Sequence, residues 1–176
     1  MKSAPRQFRS RTLPKSRFRP RKTKSPAQCG SRRFSEARIQ LLRQTFALLE
    51  PHAGIAGLIF YKNLFRLDPS LRQLFQTSIE LQARKLMEAL GYAISTLEQP
   101  AELIPALEAM GRRHVAYGVR DEHYATVIQA MLLTVEEILV RDFTPLVRAA
   151  WNETLTFVAD TMKRGAAQSA SHGTLA

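Results

Sequence analysis

Between residues 35 and 165, apolar residues recur at steps of three and four, the spacing that places side chains on one face of an α-helix. Proline, glycine and short polar residues divide this pattern into segments. The first two predicted helices cover residues 36–50 and 54–65, and Asp68 and Pro69 open a short third one. The next cover residues 79–97, part of 99–118, and 121–140, which Asp121 caps. The last begins at Pro145 and ends at Gly165. No alternating strand pattern is present, so the sequence predicts an all-α domain.

A histidine lies on the predicted buried face of the helix within residues 99–118. Leu103, Leu107 and Met110 step by four and three along this segment, and one more step of four reaches His114. The spacing therefore points His114 inward. An inward histidine is a structural residue, an acid or base, or a metal ligand, and its position alone does not separate these roles.

Three further polar residues, Tyr61, Gln82 and Tyr124, fall on the apolar stripes of other predicted helices. Any one of them alone is more often a core residue whose polar tip is bonded to backbone or water. Together with His114, and with Lys85 and the arginine pair 112–113 beside the stripes, they outline an apolar cavity. It would contain one nitrogen ligand and hydrogen-bond donors, with cations at its rim, which suits a flat apolar cofactor with two carboxylates.

Five sequence blocks carry a family resemblance: "IFYKNLF", "LRQLFQTS", "LQARKLMEAL", "GRRHVAYGVRDEHY" and "AAWNETLTFVAD". In this order and spacing they resemble a bacterial globin of the flavohaemoglobin type, in particular its single-domain haemoglobin relatives. The resemblance covers about residues 36–165. It implies the globin fold, a three-on-three helical sandwich, and a haem b cofactor whose pentacoordinate iron binds O₂, NO and CO.

The resemblance also implies roles for individual residues. His114 matches the proximal iron ligand, and Tyr61 and Gln82 match the distal residues that face a bound gas. Tyr124 matches the tyrosine of the proximal hydrogen-bond network. The expected cofactor contacts are Phe75, Leu86, Lys85, Arg113 and Met110. Among these, the Met110 carbonyl should accept a hydrogen bond from the His114 ring, and Lys85 and Arg113 are candidate partners of the haem propionates or parts of a solvated face.

Three functions agree with these observations. The first is an oxygen carrier, store or scavenger. The second is a nitric oxide dioxygenase that depends on an external electron donor or reductase, because full-length family members continue into flavin- and NAD-binding domains and this chain ends soon after its last predicted helix. No catalytic residue is assigned. The third is a helical interaction module that its basic tail tethers to nucleic acid or membrane.

The positive charge of the chain is concentrated at its N-terminus. The chain has 26 Lys and Arg against 15 Asp and Glu, and residues 1–35 contain twelve of the basic residues and none of the acidic ones. The 14 basic residues that remain (26 less 12) nearly balance the 15 acidic ones. With four prolines and few aliphatic residues, residues 1–35 are predicted to be a disordered tail, residues 36–165 a globin domain and residues 166–176 a polar C-terminal tail.

Several partners fit the basic tail. An acid-free basic arm attracts nucleic acid or an anionic membrane, and Phe8, Phe18 and Phe34 could stack on bases or insert into a membrane interface. A cleaved transit peptide and a solvated tail without a partner are the other interpretations. Cys29 is the single cysteine, which excludes a disulfide framework within the chain. No apolar run reaches membrane-spanning length and no signal-peptide core is present, so with the lone cysteine we expect a cytoplasmic protein. We also expect a monomer or a homodimer.

Overall fold

The computed structural model describes residues 34–172, and the side chains of residues 34–168. Its six α-helices are α1 Glu36–Leu49, α2 Ala53–Leu67, α3 Ile79–Ser95, α4 Pro100–Ala116, α5 Asp121–Leu139 and α6 Pro145–His172. Short 3₁₀ helices occupy Glu50–His52, Pro69–Leu74 and Val140–Asp142. No strand occurs in this part of the chain, and the all-α prediction is confirmed. Most of the predicted basic tail lies outside the described residues, as do residues 173–176.

The fold begins before the predicted boundary at residue 35. Phe34 is 3% exposed, and its ring meets the Phe157 ring edge-on with the centroids 5.5 Å apart. The Ser35 hydroxyl accepts a hydrogen bond from the Arg38 backbone N–H at 3.3 Å and so caps α1. Phe34 is therefore a core residue, and its prediction as an aromatic anchor for bases or lipid is wrong.

The helices pack in pairs that leave α3 and α4 apart. α2 lies against α3 and α5, and α4 lies against α6, which also contacts α1 and α5. α3 and α4 make almost no contact with each other, although they are consecutive in the chain. A hydrogen bond of 3.0 Å from the Tyr92 hydroxyl to Glu102 joins them near the turn that they share. Apart from this turn, α3 and α4 are therefore held by their contacts to other helices rather than to each other.

Two glycines allow α4 and α6 to meet at backbone contact. A Cβ atom at Gly111 would lie 1.9 Å from the Met162 carbonyl oxygen, and one at Gly165 would lie 2.2 Å from the Glu108 carbonyl oxygen. The predicted helix end at Gly165 is wrong, because α6 continues through this residue to His172. Gly165 serves the close approach to α4 rather than a C-terminal cap, and residues 166–172, predicted as a polar tail, extend the helix.

Replacing Gly165 with alanine is expected to lower the free energy of unfolding by about 1–3 kcal/mol, because the added methyl group pushes α6 away from the α4 backbone. Gly54 is the matched control, since it is also helical and nothing lies within 4 Å of a Cβ atom there. Gly54→Ala should raise the free energy of unfolding by up to about 1 kcal/mol through helix propensity. Urea denaturation measures both, and equal effects of the two substitutions would contradict the packing role of Gly165.

A buried polar contact joins α2 to α5. Asn63 is 0% exposed, and its amide nitrogen donates to Thr134 Oγ1 at 3.3 Å and to Glu137 Oε1 at 3.0 Å. The other carboxylate oxygen of Glu137 accepts a hydrogen bond from Lys62 Nζ at 2.9 Å. The hydrogen bonds from Lys62 and Asn63 hold the pKa of Glu137 below its ordinary value. One carboxylate on α5 therefore binds two adjacent residues of α2.

The lowered pKa makes the contribution of Glu137 to stability depend on pH. This contribution is fully present above the ordinary pKa of 4.5 and is lost as the pH falls through the lower value of the folded chain. We therefore expect Glu137→Gln to unfold at a lower urea concentration than the parent at neutral pH, and the difference to shrink below about pH 4. A difference between the two urea midpoints that stays constant down to about pH 3 would contradict this expectation.

Among the described helices, α5 with the 3₁₀ turn after it meets the length and composition of a membrane span. This stretch, Asp121–Asp142, has a mean hydropathy of 1.2 over its most apolar window, and 39% of that window is buried inside the fold. The apolar run is thus longer than the sequence analysis expected. Core helices of soluble proteins pass the same test, so this finding alone is weak support for a membrane location.

Candidate functional site

His114 lies near the C-terminal end of α4 and is half-buried. Its Nδ1 is 2.9 Å from the Met110 carbonyl oxygen, a contact that the sequence analysis expected. When Nδ1–H donates to that carbonyl, Nε2 carries the lone pair that can bind a metal ion. Burial lowers the pKa of His114 below 6.5, the Arg113 charge lowers it further, and the Met110 hydrogen bond opposes both. The ring is therefore neutral at neutral pH, which is the form that ligates metals.

The turn after α4 fixes the end of that helix. Gly118 has a φ of 79°, in the left-handed region that favours glycine, and it reverses the chain after Tyr117. The backbone N–H of Val119 then donates to the His114 carbonyl oxygen at 3.0 Å. The ring nitrogen and the carbonyl group of His114 are both hydrogen-bonded to nearby backbone, which limits how far the residue can move.

Tyr61 on α2 is buried, with 5% of its surface exposed. Its ring centroid is 5.1 Å from those of Phe60 and Phe75, both edge-on, and 5.7 Å from that of Phe65. Burial raises the pKa of Tyr61 to about 12. The hydroxyl therefore stays protonated at physiological pH and can donate a hydrogen bond in apolar surroundings. Phe75 itself is half-buried and forms one wall of these surroundings.

Gln82 and Leu86 lie one turn apart on α3, and both are half-buried. The Gln82 amide nitrogen donates to Thr77 Oγ1, in the turn before α3. This bond directs the amide to the turn, and no hydrogen bond joins Gln82 to Tyr61 within the part of the chain that the structure describes. Joint action of these two side chains on a ligand would require the bond to Thr77 to break.

Tyr124 is buried in the first turn of α5, where burial and then the Asp121 carboxylate raise its pKa. Its hydroxyl makes no hydrogen bond to His114 among the described residues, so its predicted place in a proximal network stays a prediction. Lys85 and Arg113 are exposed. Neither forms an ion pair with a residue in 34–168, and both are open to an anionic group at the protein surface.

His123 caps α5 from a buried position, a role that the sequence analysis gave to Asp121. The ring, 6% exposed, accepts a hydrogen bond at Nδ1 from the Arg120 backbone N–H at 3.1 Å. Asp121 is the first residue of the helix instead. The sequence signal for this cap is the place of His123 as the third residue of α5. Glutamate or glutamine usually stands at this position and accepts a hydrogen bond from the backbone N–H of the cap residue.

A cavity of about 140 Å³ lies beside His123, lined by the 3₁₀ helix Pro69–Leu74 and the turn after α4.

Within the described residues, His114 of α4 belongs to no cluster of metal-binding side chains. No group of three or more His, Cys, Asp or Glu side chains that could hold a metal ion occurs among the residues that the structure describes. A metal ion at His114 would therefore need a cofactor that supplies its other ligands.

The globin family model matches residues 58–162, more than half of the chain. The chain is a globin. It is 31% identical over 129 residues to an uncharacterized globin-like protein of Aquifex aeolicus, and this match covers 73% of the chain and 91% of the relative. It is 30% identical over 133 residues to a flavohemoprotein of Chromobacterium violaceum, of which it covers 33%. A flavohemoprotein of Xylella fastidiosa is 29% identical, with the same 33% covered. This globin thus spans about a third of the flavohemoproteins it matches.

The residues along α3 and α4 fit the haem that globins bind. The two helices are separated, and on or near them Phe75, Leu86 and Met110 are half-buried apolar side chains that pack against the core. One neutral imidazole, that of His114, is available as an iron ligand, and the buried Tyr61 hydroxyl is available as a donor. The predicted globin fold is confirmed by the family, and the haem-binding class follows from it.

Proposed function

We propose that this globin binds haem b through His114 Nε2 and holds O₂, and also NO and CO, on the side of the pocket where Tyr61 lies, as an oxygen carrier, store or scavenger. The hydrogen bond between His114 Nδ1 and the Met110 carbonyl supports this proposal most directly. It leaves the second ring nitrogen as a lone-pair donor, and burial keeps that nitrogen unprotonated.

Haem, held by His114, would supply an iron that can bind a diatomic gas. Tyr61 stabilises the gas by donating a hydrogen bond from surroundings that contain little competing water. O₂ accepts such a bond more strongly than CO, so Tyr61 favours retention of O₂. Gln82 can add a second donor when its bond to Thr77 gives way.

The remaining contacts divide into apolar and charged groups. Phe75, Leu86 and Met110 are half-buried and would pack against the apolar faces of the porphyrin. Lys85 and Arg113 are exposed cations, which would pair with the propionates where these reach the surface. The cofactor would therefore lie with its apolar part between α3 and α4 and its carboxylates in water.

Reconstitution of the full chain with haemin tests the proposal. We expect stoichiometric uptake, a Soret band, and a shift of that band when CO is added to the reduced protein. The O₂ complex of the reduced protein should release its gas slowly in stopped-flow measurements. A well-folded chain that stays colourless with excess haemin, or an O₂ complex that is lost at once, would contradict the proposal.

Nitric oxide dioxygenation with a separate reductase is the second candidate function. The observation in its favour is the 30% identity to a flavohemoprotein over 73% of the chain. The measurement is the nitrate formed from NO and O₂ when a flavin reductase and its reductant are supplied. Nitrate above the level of the haem-free protein supports the enzyme, and nitrate at that level leaves gas binding as the function.

A further inference from the structure

Asn63 and Tyr61 lie on opposite sides of the same helix. Residues two apart in an α-helix are separated by about 200° around its axis, and Asn63 faces α5 through its hydrogen bonds to Thr134 and Glu137. Asn63 has no exposed surface. It therefore cannot reach a ligand near Tyr61, and any effect that it has on this ligand must pass through α2.

The Asn63 side chain is hydrogen-bonded at both of its polar atoms. Nδ2 donates to Thr134 Oγ1 and to Glu137 Oε1, and Oδ1 accepts a hydrogen bond of 3.3 Å from Arg66 Nη2. Thr134 in turn donates to the Ala130 carbonyl oxygen at 2.8 Å, which leaves its oxygen lone pairs to accept from Asn63. We call Asn63, Arg66, Thr134 and Glu137 the Asn63 anchor.

The Asn63 anchor differs in kind from the contacts of Tyr61. Tyr61 packs edge-on against two aromatic rings and makes no hydrogen bond within the described residues, whereas the Asn63 anchor consists of hydrogen bonds to α5. Hydrogen bonds weaken steeply when donor and acceptor are misaligned, so the Asn63 anchor is one constraint on the rotation of α2 about its own axis. A rotation of about 10° would move a hydroxyl that lies roughly 8 Å from this axis by more than about 1 Å, which is enough to break a hydrogen bond.

We propose that Asn63 is a positioning residue for Tyr61, because its anchor on α5 helps to hold α2 at the rotation at which the phenol donates to a gas in the pocket. The inference rests on the proposed role of Tyr61 as that donor. It assigns to a side chain outside the pocket an effect on gas release that does not operate through stability alone.

A double-mutant cycle of Asn63→Asp and Tyr61→Phe tests this coupling through the O₂ dissociation rate of the haem-loaded full chain. Aspartate at this position sets an acceptor against the Glu137 carboxylate and breaks the anchor. With Tyr61 present we expect O₂ release to become roughly three- to tenfold faster, a part of the effect of the whole hydrogen bond. In the Tyr61→Phe background we expect no further change.

Two further variants distinguish a displacement of Tyr61 from a general loss of stability of the fold. Glu137→Gln should rescue Asn63→Asp, since the new amide can donate to the new carboxylate, and O₂ release should return toward the parent rate. Thr45→Val is the matched control, because it removes a buried hydrogen bond of 3.0 Å from Trp151 Nε1 that joins α1 to α6. It should lower the free energy of unfolding and leave O₂ release unchanged.

Titration of the Tyr61 phenol in the haem-free chain gives a readout that is independent of gas binding. With ¹³C-labelled tyrosine, NMR should show the pKa of Tyr61 move from about 12 toward its ordinary value of 10.0 in Asn63→Asp, as the displaced ring meets water. The rescued pair should restore the higher value, and Thr45→Val should keep it. If Asn63→Asp does not fold, Asn63→Ser replaces it with the same expected direction.

Equal effects of Asn63→Asp on O₂ release in the two backgrounds, or a pKa of Tyr61 that does not change, would overturn the inference. If Tyr61→Phe alone does not speed O₂ release, the proposed function fails instead. The titration of Tyr61 then still decides whether Asn63 positions the ring.

Discussion

Alanine in place of His114 is expected to abolish stable haem incorporation, because this substitution removes the single imidazole of α4. The measurement is the Soret absorbance that remains with the protein after reconstitution with haemin and gel filtration. His52→Ala is the matched control, since His52 is exposed in the turn before α2 and should not affect haem uptake. Imidazole added to the His114→Ala protein should restore part of the absorbance by taking the place of the missing ring.

An unchanged Soret band in His114→Ala would mean that another group binds the iron. In that case His123 would be the first residue to examine, because its ring is buried in the first turn of α5. Loss of the band together with loss of helical circular dichroism would instead show that the substitution had unfolded the chain, and the imidazole measurement separates this outcome from loss of a ligand.

Phenylalanine in place of Tyr61 is expected to speed O₂ release by about ten- to a hundredfold, because a hydrogen bond to a charged acceptor contributes about 1.5–3 kcal/mol. The release of CO should change less, since CO accepts this bond weakly. Tyr92→Phe is the matched control: it also removes a tyrosine hydroxyl, but that hydroxyl binds Glu102 at the surface. Stopped-flow dissociation of both gases from the three proteins provides the comparison.

Equal acceleration of O₂ and CO release in Tyr61→Phe would indicate a wider pocket rather than a lost hydrogen bond. If neither gas is released faster from Tyr61→Phe, the Tyr61 hydroxyl does not contact the bound gas. In both cases the raised pKa of Tyr61 would be a property of an ordinary core tyrosine.

The helical periodicity of the sequence predicted the architecture well, because burial of one face of each helix dominates the pattern of apolar residues. The stripes placed Tyr61 and Tyr124 in the interior, and both are buried. The step from Met110 to His114 likewise predicted an inward ring one turn from the Met110 carbonyl. These inferences depend only on the geometry of a single helix, which is local in sequence.

The predictions that are wrong depended on contacts between helices. Gly165 looks like a helix end in the sequence, but its missing side chain admits the α4 backbone. Leu58 lies three residues before Tyr61 and so on the same side of α2, but it is 41% exposed whereas Tyr61 is buried. The bond from Gln82 to Thr77 is also invisible in a helical stripe, since Thr77 precedes α3.

Asn63 shows a further limit of periodicity. An asparagine next to a lysine, as Asn63 is next to Lys62, suggests a surface position, whereas this side chain is fully buried and its amide donates to partners 71 and 74 residues away in the chain. Such pairing requires a known arrangement of α2 on α5. From the sequence alone, one could say only that α2 carries a polar residue, Asn63, on the side opposite Tyr61.

The separation of α3 from α4 has a consequence for synthesis of the protein in the cell. A newly made chain that has not yet met its cofactor leaves apolar side chains of α3 and α4 such as Leu86 and Met110 partly exposed, and exposed apolar surfaces promote self-association. Because a tightly held cofactor stabilises the folded chain by mass action, the yield of intact protein should follow the haem supply of the host. Production that outpaces porphyrin synthesis would then accumulate as aggregate.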